Sequence, residues 1–563
     1  MHRCGDPALP KHRGRRGDRG NRAGAGAIGR PGGALVVVLF VLLPLLPVPG
    51  LGGCRQQPAT SVPTTRVQEG GTVRLALVGE VSSLDPREAD SPAERALAGL
   101  LFSALAGVDG GGEVFPDLAV GWAGGRGGAY WTVRLRPDAV WHDGRPVTCD
   151  DVLFSLRLHP EPFPGLTWQK VDSRTVRFFL SHPDAGFPYW LAGVPILPAH
   201  LLASGPATGD AGVGGEGSAP PFGRRPVGTG PFRLDPAQGE IVQGAAAPGK
   251  VGGPQEGGLR EITLLPHLRH HRGRPHLDGL VVRVYPSLAE ATRAVLRGEV
   301  DLGPVLPADA GLVRGAGWRV LETHQPYYMA LAFNCERVPV ELRRAMVLAI
   351  DRHGLATELD VREVTFALPL ISWAYPPEVP WGPYDPAAAR QLLERAGEVP
   401  PLRLMVSRDD PLRTRAARLI AAYLGTAGIK VTVSEEEADA FISRLLPPFD
   451  YELALIPQPF PANPDLSPLL HSGQIPVAGG GGNVFAYRQA SMDTLLDRLR
   501  QELDPTTRKS LVQQVADLLC RDVPFFPLWT ERVYLAVRPG LMGPAASPYG
   551  WHWNMHDWWW QSP

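Results

Sequence analysis

The sequence predicts an α/β fold of more than one domain. Three observations carry this. Segments with strand alternation and segments with helix-capping residues follow one another along most of the chain. The connections between them are short, as α/β layers require. The chain has 563 residues, 44% of them hydrophobic, which is enough for several cores on the usual length prior.

The elements follow in order. Thr72–Leu77 alternates as a first strand. Ser91-Pro92-Ala93-Glu94 supplies an N-cap, a proline at the first helical position and a capping-box glutamate, opening a helix expected to reach Leu105. Trp131–Leu135 alternates as a strand. Trp141-His142-Asp143-Gly144 is turn chemistry, and Thr148-Cys149-Asp150-Asp151 caps a helix to about Leu158. Arg174–Leu180 is the next strand. From Ser204 to Gly258 the chain is crowded with Gly, Pro and Ala, and only Pro226–Leu234 stands out as ordered; the rest is expected to be surface insertion. Ser287-Leu288-Ala289-Glu290 caps a helix that stops at Gly298, with a strand at Val300–Leu302. Val340–Arg352 is expected to be one helix, with Leu342, Ala345, Met346, Ala349 and Ile350 on one face. Asp385-Pro386 starts a helix that Gly397 ends. A strand at Leu402–Val406, a helix at Arg413–Ala427 and a strand at Ile429–Val433 come next. Helices near Met492–Leu503 and Thr506–Arg521 lead to a last strand at Tyr534–Val537.

The N-terminus has a separate character. Residues 1–33 are rich in Arg and Gly, and Ala34–Leu43 is an apolar run interrupted by Pro44 and Pro47. A permanent membrane span needs about 20 apolar residues, so this layout reads as an export signal over residues 1–53. Leu51-Gly52-Gly53-Cys54 resembles the lipobox of bacterial lipoproteins, which makes Cys54 the lipidation site and anchors the chain to the outer face of the cytoplasmic membrane. The alternative is an ordinary signal cut nearby, with Cys54 incidental. Residues 54–70 are expected to be a polar tether. A formal net charge of −1 excludes the clustered basic surplus that nucleic acid requires. Cys149, Cys335 and Cys520 are too few and too widely spaced for a disulfide or metal framework.

Several motifs fail on inspection. Gly24–Gly29 and Gly212–Gly217 fit a dinucleotide pattern without a preceding strand, and Gly244–Lys250 fits a phosphate loop until Val251, where a hydroxyl is needed. Two common hydrolase signatures, His-Glu-x-x-His and Gly-x-Ser-x-Gly, are absent, so no catalytic residues and no cofactor are assigned. His267, His270, His271 and His276 alternate with Arg269, Arg272 and Arg274, whose charges oppose a cation; these histidines are read as turn residues, with no metal site expected. Trp551, Trp553, Trp558, Trp559 and Trp560 are read as a C-terminal tail docking onto the body.

The remaining strings share one pattern. They are Ser83-Leu84-Asp85-Pro86, Trp141 to Thr148 with Asp150-Asp151-Val152, Pro226-Val227-Gly228-Thr229-Gly230-Pro231-Phe232, Gly298 to Asp301, Phe333-Asn334, Ala349 to Arg352, and Tyr384-Asp385-Pro386. In this order and spacing the chain resembles the bacterial extracellular solute-binding proteins, family 5, of the oligopeptide, dipeptide and nickel type. Gly228 and Gly230 are expected to serve by permitting unusual backbone angles, and Trp141 by filling a core.

The resemblance implies a two-lobed periplasmic-binding-protein-like fold (type II, cluster C) with an extra inserted subdomain. Lobe I is expected over 71–115 and 225–310, the insertion over 116–224, lobe II over 311–490, and a return to lobe I over 491–563. It also implies a monomer that captures a peptide or other small solute by hinge closure and passes it to ABC permease subunits. Cleft candidates are Ser83, Tyr328, Asn334, Arg408, Gln458, Phe460, Asn463 and Asp465. Peptide binders of the family place an aspartate where this chain has Phe460, to meet the peptide's α-ammonium, and Asn463 stands for a second aspartate. A buried cation without a counterion is strongly penalised, so a free-amino peptide is disfavoured here. The competing functions are a lipid-anchored sensor on the same fold and a secreted hydrolase, which would need a nucleophile and base that the sequence does not offer.

Overall fold

The computed structural model describes residues 67, 69–159, 165–203, 222–238, 261–476 and 481–561. Cys54, the export signal, nearly all of the tether and the glycine-rich pseudo-motifs lie outside the described residues. Three sheets organise the rest.

The first sheet has seven strands, in the order Arg319–His324, Arg532–Val537, Leu302–Val305, Thr72–Val78, Gly279–Tyr285, Glu261–Pro266 and Phe232–Leu234. Thr72–Val78 pairs in parallel with two neighbours, Leu75 standing opposite both Val282 and Leu302. Parallel neighbours need a crossover, and the helix Leu288–Leu296, capped by Ser287, supplies it between those two flanking strands. The second sheet has six strands, in the order Arg362–Glu363, Phe525–Thr530, Tyr327–Phe333, Leu453–Pro459, Leu402–Ser407 and Val431–Glu436. The third, of four antiparallel strands (Ala119–Gly125, Tyr130–Leu135, Thr175–Phe179, Thr167–Lys170), packs with the helix Cys149–Leu158 over a core that contains Trp141.

The chain crosses from the first sheet to the second between His324 and Tyr327, and back between Thr530 and Arg532. The crossing strands pair on both sides, Arg319–His324 with Arg532–Val537 and Met329–Ala332 with Phe525–Trp529. Both crossings fall later than the boundaries at 311 and 491 read from the sequence. The helices Ala490–Gln501 and Pro505–Asp522 bury Met492, Leu496, Leu511 and Val515 in the second core, so their apolar faces hold that stretch away from the first sheet.

Several local readings change. The first helix ends at Leu101 rather than Leu105, because Phe102 turns extended (φ −126°, ψ 139°). The expected helix over 340–352 is two, Val340–Ala349 and Arg352–Leu359. Ile350 is extended and Asp351 caps the second helix through Gly354 N–H. Two short strands, Leu541–Met542 and Trp559–Trp560, follow the expected last one.

Gly228 and Gly230 have ordinary φ angles; they are required by close approach instead. A Cβ on Gly228 would lie 1.8 Å from the carbonyl oxygen of Leu101, and one on Gly230 2.4 Å from that of Leu100. His142 clasps the same pair. Gly228 N–H donates to its Nδ1 (3.1 Å), and its Nε2 lies 3.1 Å from the Gly230 carbonyl. The Trp-His-Asp-Gly turn, the glycine motif and the helix C-terminus thus form one joint.

Candidate functional site

A cavity of about 680 Å³ opens beside that joint. Its walls are the helix Pro92–Leu101 through Arg95 and Gly99, the following Phe102 and Ser103, Phe115, Asp117, and Tyr189 of the helix Phe187–Gly193. The turn at His270 and Arg272 and the tail segment Tyr549–His556 complete it, and Pro326 and Ala462 reach it from the second-sheet side. This size suits a small solute. Arg272 lies over the Phe115 ring at 4.7 Å, and burial lowers its pKa against the opposing pull of Asp117 and Asp557. Burial holds His552 neutral, down to about 4, and pushes His270 far below the usual imidazole range with help from His271 and His267. At neutral pH the cavity therefore presents uncharged imidazoles, aromatic faces, arginine and the carboxylate of Asp117.

The lobes touch at the cavity's rim. Trp373 Nε1–H donates to Tyr189 Oη (3.0 Å), Tyr549 Oη–H to the Pro461 carbonyl (3.2 Å), and Ala185 N–H to the Arg500 carbonyl (2.6 Å). Beneath these contacts Arg508 is buried. Its Nη2 donates to Asn463 Oδ1 (2.7 Å), and its guanidinium faces the Trp373 ring at 5.7 Å. Arg500 lies 3.9 Å from Asp184 and 3.7 Å from Asp465. Burial, and then the charge of Asp465, pushes Asp184 up to about 6, against Gly186 N–H and the two arginines.

None of the eight cleft candidates lines the 680 Å³ cavity. Tyr328, Gln458 and Phe460 do come together: Gln458 pairs with Tyr328 across two strands, and the Phe460 ring lies 5.0 Å from Tyr328 and 5.1 Å from His324. Phe460 lines a separate pocket of about 60 Å³ with His324, Arg362 and Tyr375. Asn463 and Asp465 meet at the lobe contact, where Asp465 Oδ1 accepts from Ser467 N–H and its hydroxyl. Ser83 Oγ accepts from Asp85 N–H (3.1 Å). Asn334 donates to the carbonyls of Phe449 and Tyr451 and accepts from Glu336 N–H, which ties a loop. Arg408 is exposed and pairs with Glu437. The cavity residues had a partial signal in the sequence. The histidine run reads as turn residues and the tryptophans as a docking tail; Trp558 is buried in the first core as a docked tail requires, while Trp553 and His270 line the cavity.

Among the described residues no helix is long and apolar enough to cross a membrane. The chain is 23% identical over 528 residues to the oligopeptide-binding protein AppA of Bacillus subtilis, covering 87% of this chain and 92% of the relative. It is 26% identical over 498 residues to heme-binding protein A of Haemophilus influenzae, covering 78% and 83%. The solved structure of HbpA2 from Haemophilus parasuis superposes with a TM-score of 0.72 at 20% identity, covering 85% of this chain and 98% of that one, and shares the two-lobed α/β fold. The profile of the bacterial extracellular solute-binding proteins, family 5 (middle region), matches residues 113–474, more than half of the chain. By that match, and by the ordered motifs that the fold now explains, the chain belongs to the bacterial extracellular solute-binding proteins, family 5.

Proposed function

We propose that the chain is the solute-binding component of an ABC importer, monomeric and held to the outer face of the cytoplasmic membrane by a lipid on Cys54. It recognises solute without turnover and passes it to permease subunits. Its solute is a polar small molecule or peptide-like compound whose binding does not depend on an α-ammonium group. Phe460 carries this last point: it is buried against Tyr328 and His324, and the two carboxylates that share its pocket, Glu322 and Glu363, are ion-paired with Arg532 and Arg352. The nearby Asp465 is engaged by Ser467 and Arg500, and the Asp117 carboxylate at the cavity by His271. The curated relatives named above bind an oligopeptide in one case and heme in the other, which supports a fold open to several solute classes.

A thermal-shift screen tests this, because a ligand that binds only the native state raises its melting temperature. Free and N-acetylated di- and oligopeptides, oligosaccharides and nickel chelates form the panel. The expected result is a hit whose affinity changes less than about threefold on acetylation of any amino terminus. A preference of tenfold or more for the free amine overturns the solute reading, and steady consumption of the hit overturns the transport reading. Cys54→Ala should release the protein from the membrane fraction; retention there would refute the anchor.

A further inference from the structure

The histidines after the strand Glu261–Pro266 sit in turns, as their sequence context implies, yet they are buried. His267, His270 and His271 are each 6% exposed. Asp117, distant in sequence, is brought against them. One ligand-capable atom from each of Asp117, His270 and His271 lies within 4.8 Å of the others. His271 Nε2 is 2.8 Å from Asp117 Oδ1, so Nε2–H donates to the carboxylate and Nδ1 carries the lone pair. That Nδ1 has no hydrogen-bond partner. Neither ring nitrogen of His270 has one, although His270 is buried and faces the cavity.

Leaving a buried polar atom unsatisfied costs about 1–3 kcal/mol, so three unpaired imidazole nitrogens in one place call for a ligand. Either tautomer of His270 offers one lone pair into the cavity. A carboxylate hydrogen-bonded to imidazole is the arrangement that orients a histidine for metal binding, and the neutral imidazole is the form that ligates. The opposing charges are Arg136, whose Nε–H donates to the Asp117 carbonyl (2.6 Å), and Arg272. Asp117 and Asp557 offset Arg272, and its guanidinium lies over the Phe115 ring. Of the other basic residues read from the sequence, Arg274 pairs outward with Asp278 and Glu69.

We propose that His270 and His271, the latter through Nδ1 and oriented at Nε2 by Asp117, bind a divalent transition-metal ion in the wall of the 680 Å³ cavity. Imidazole donors select Zn²⁺, Ni²⁺, Co²⁺ or Cu²⁺ over Mg²⁺ and Ca²⁺. Asp117 and His270 both line the cavity, so an ion held there is accessible to a solute carrying a carboxylate or amine. The site lies on the first-sheet side of the molecule and does not depend on which solute is imported.

The test is a titration of the full chain, purified without a histidine tag and stripped with chelator, using Co²⁺ followed by visible absorption and Zn²⁺ in competition. One equivalent should bind with a Kd of about 10 μM or tighter. His270→Gln and Asp117→Asn should each weaken it at least ~10-fold, while His353→Gln, at a histidine whose side chain is 85% exposed, leaves it unchanged. Near-UV circular dichroism checks that each variant is folded. Independently of any variant, pulsed EPR of the Cu²⁺-loaded wild type should show coupling to imidazole nitrogen. Absence of stoichiometric binding, unaltered affinity in folded His270→Gln, or a Cu²⁺ signal without imidazole coupling overturns the site.

Discussion

Asp184 lies where the inserted subdomain meets the second lobe, with its carboxylate facing Asp465 and the guanidinium of Arg500. Its folded pKa of about 6 stands above the usual aspartate value of 3.8. A carboxyl with a raised pKa binds more protons folded than unfolded, so its ionisation weakens the native state as pH rises from about 4 to 6. Each unit of difference is worth about 1.4 kcal/mol. The charged form therefore costs about 3 kcal/mol at pH 7.5 and about 1 kcal/mol at pH 4.5. Asp184→Asn removes that charge and keeps an oxygen for Gly186 N–H, which donates to Oδ1 at 2.6 Å. Burial holds His142 at about 3 and His552 at about 4, and these groups act in the opposite direction, weakening the fold as pH falls below 6.5. The difference between variant and wild type isolates Asp184. Urea unfolding at pH 4.5 and 7.5 should show the variant more stable at both, by about 2 kcal/mol more at the higher pH. An equal difference at the two pH values, or a variant less stable at pH 7.5, refutes the assignment of an unfavourable charge to this contact.

Two further outcomes follow from the geometry. Gly228→Ala should lower stability by at least about 2 kcal/mol, since its Cβ would meet the Leu101 carbonyl at 1.8 Å and no side chain is available to yield; a loss under about 1 kcal/mol in urea unfolding would show that the joint is not tight. The charged form of Glu94 is opposed by burial, but hydrogen bonds from Ser91 and Ser82 outweigh it and hold the carboxyl at about 2, below the usual glutamate value of 4.5. Its stabilisation is present above pH 4.5 and lost as pH falls toward 2, so Glu94→Gln should be less stable at neutral pH by roughly 2 kcal/mol and should lose less stability than wild type between pH 4.5 and 2.

Much of the local structure is legible along the chain because its causes are local. The capping boxes at Ser91 with Glu94 and at Thr148 with Asp151 form as their spacing implies, and Thr72–Val78 alternates because its two faces have different surroundings. Tyr327–Phe333 escapes such a reading. Tyr328 to Phe333 are all buried, and a central strand covered on both faces has no alternation to detect. The break at Ile350 is equally silent, because alanine and leucine on both sides favour helix.

The candidate site divides in the same way. By itself the sequence determined the family motifs and their order, since these are matters of residue identity and spacing. Only the tertiary structure decided that Gly228 and Gly230 are needed for contact with a helix end more than a hundred residues away. It likewise turned a run of turn histidines into a buried group facing Asp117, and put the aspartate pair Asp184 and Asp465 beside Arg500. Burial and proximity between distant segments govern charge, protonation and ligand access, and neither is a property of neighbouring residues along the chain.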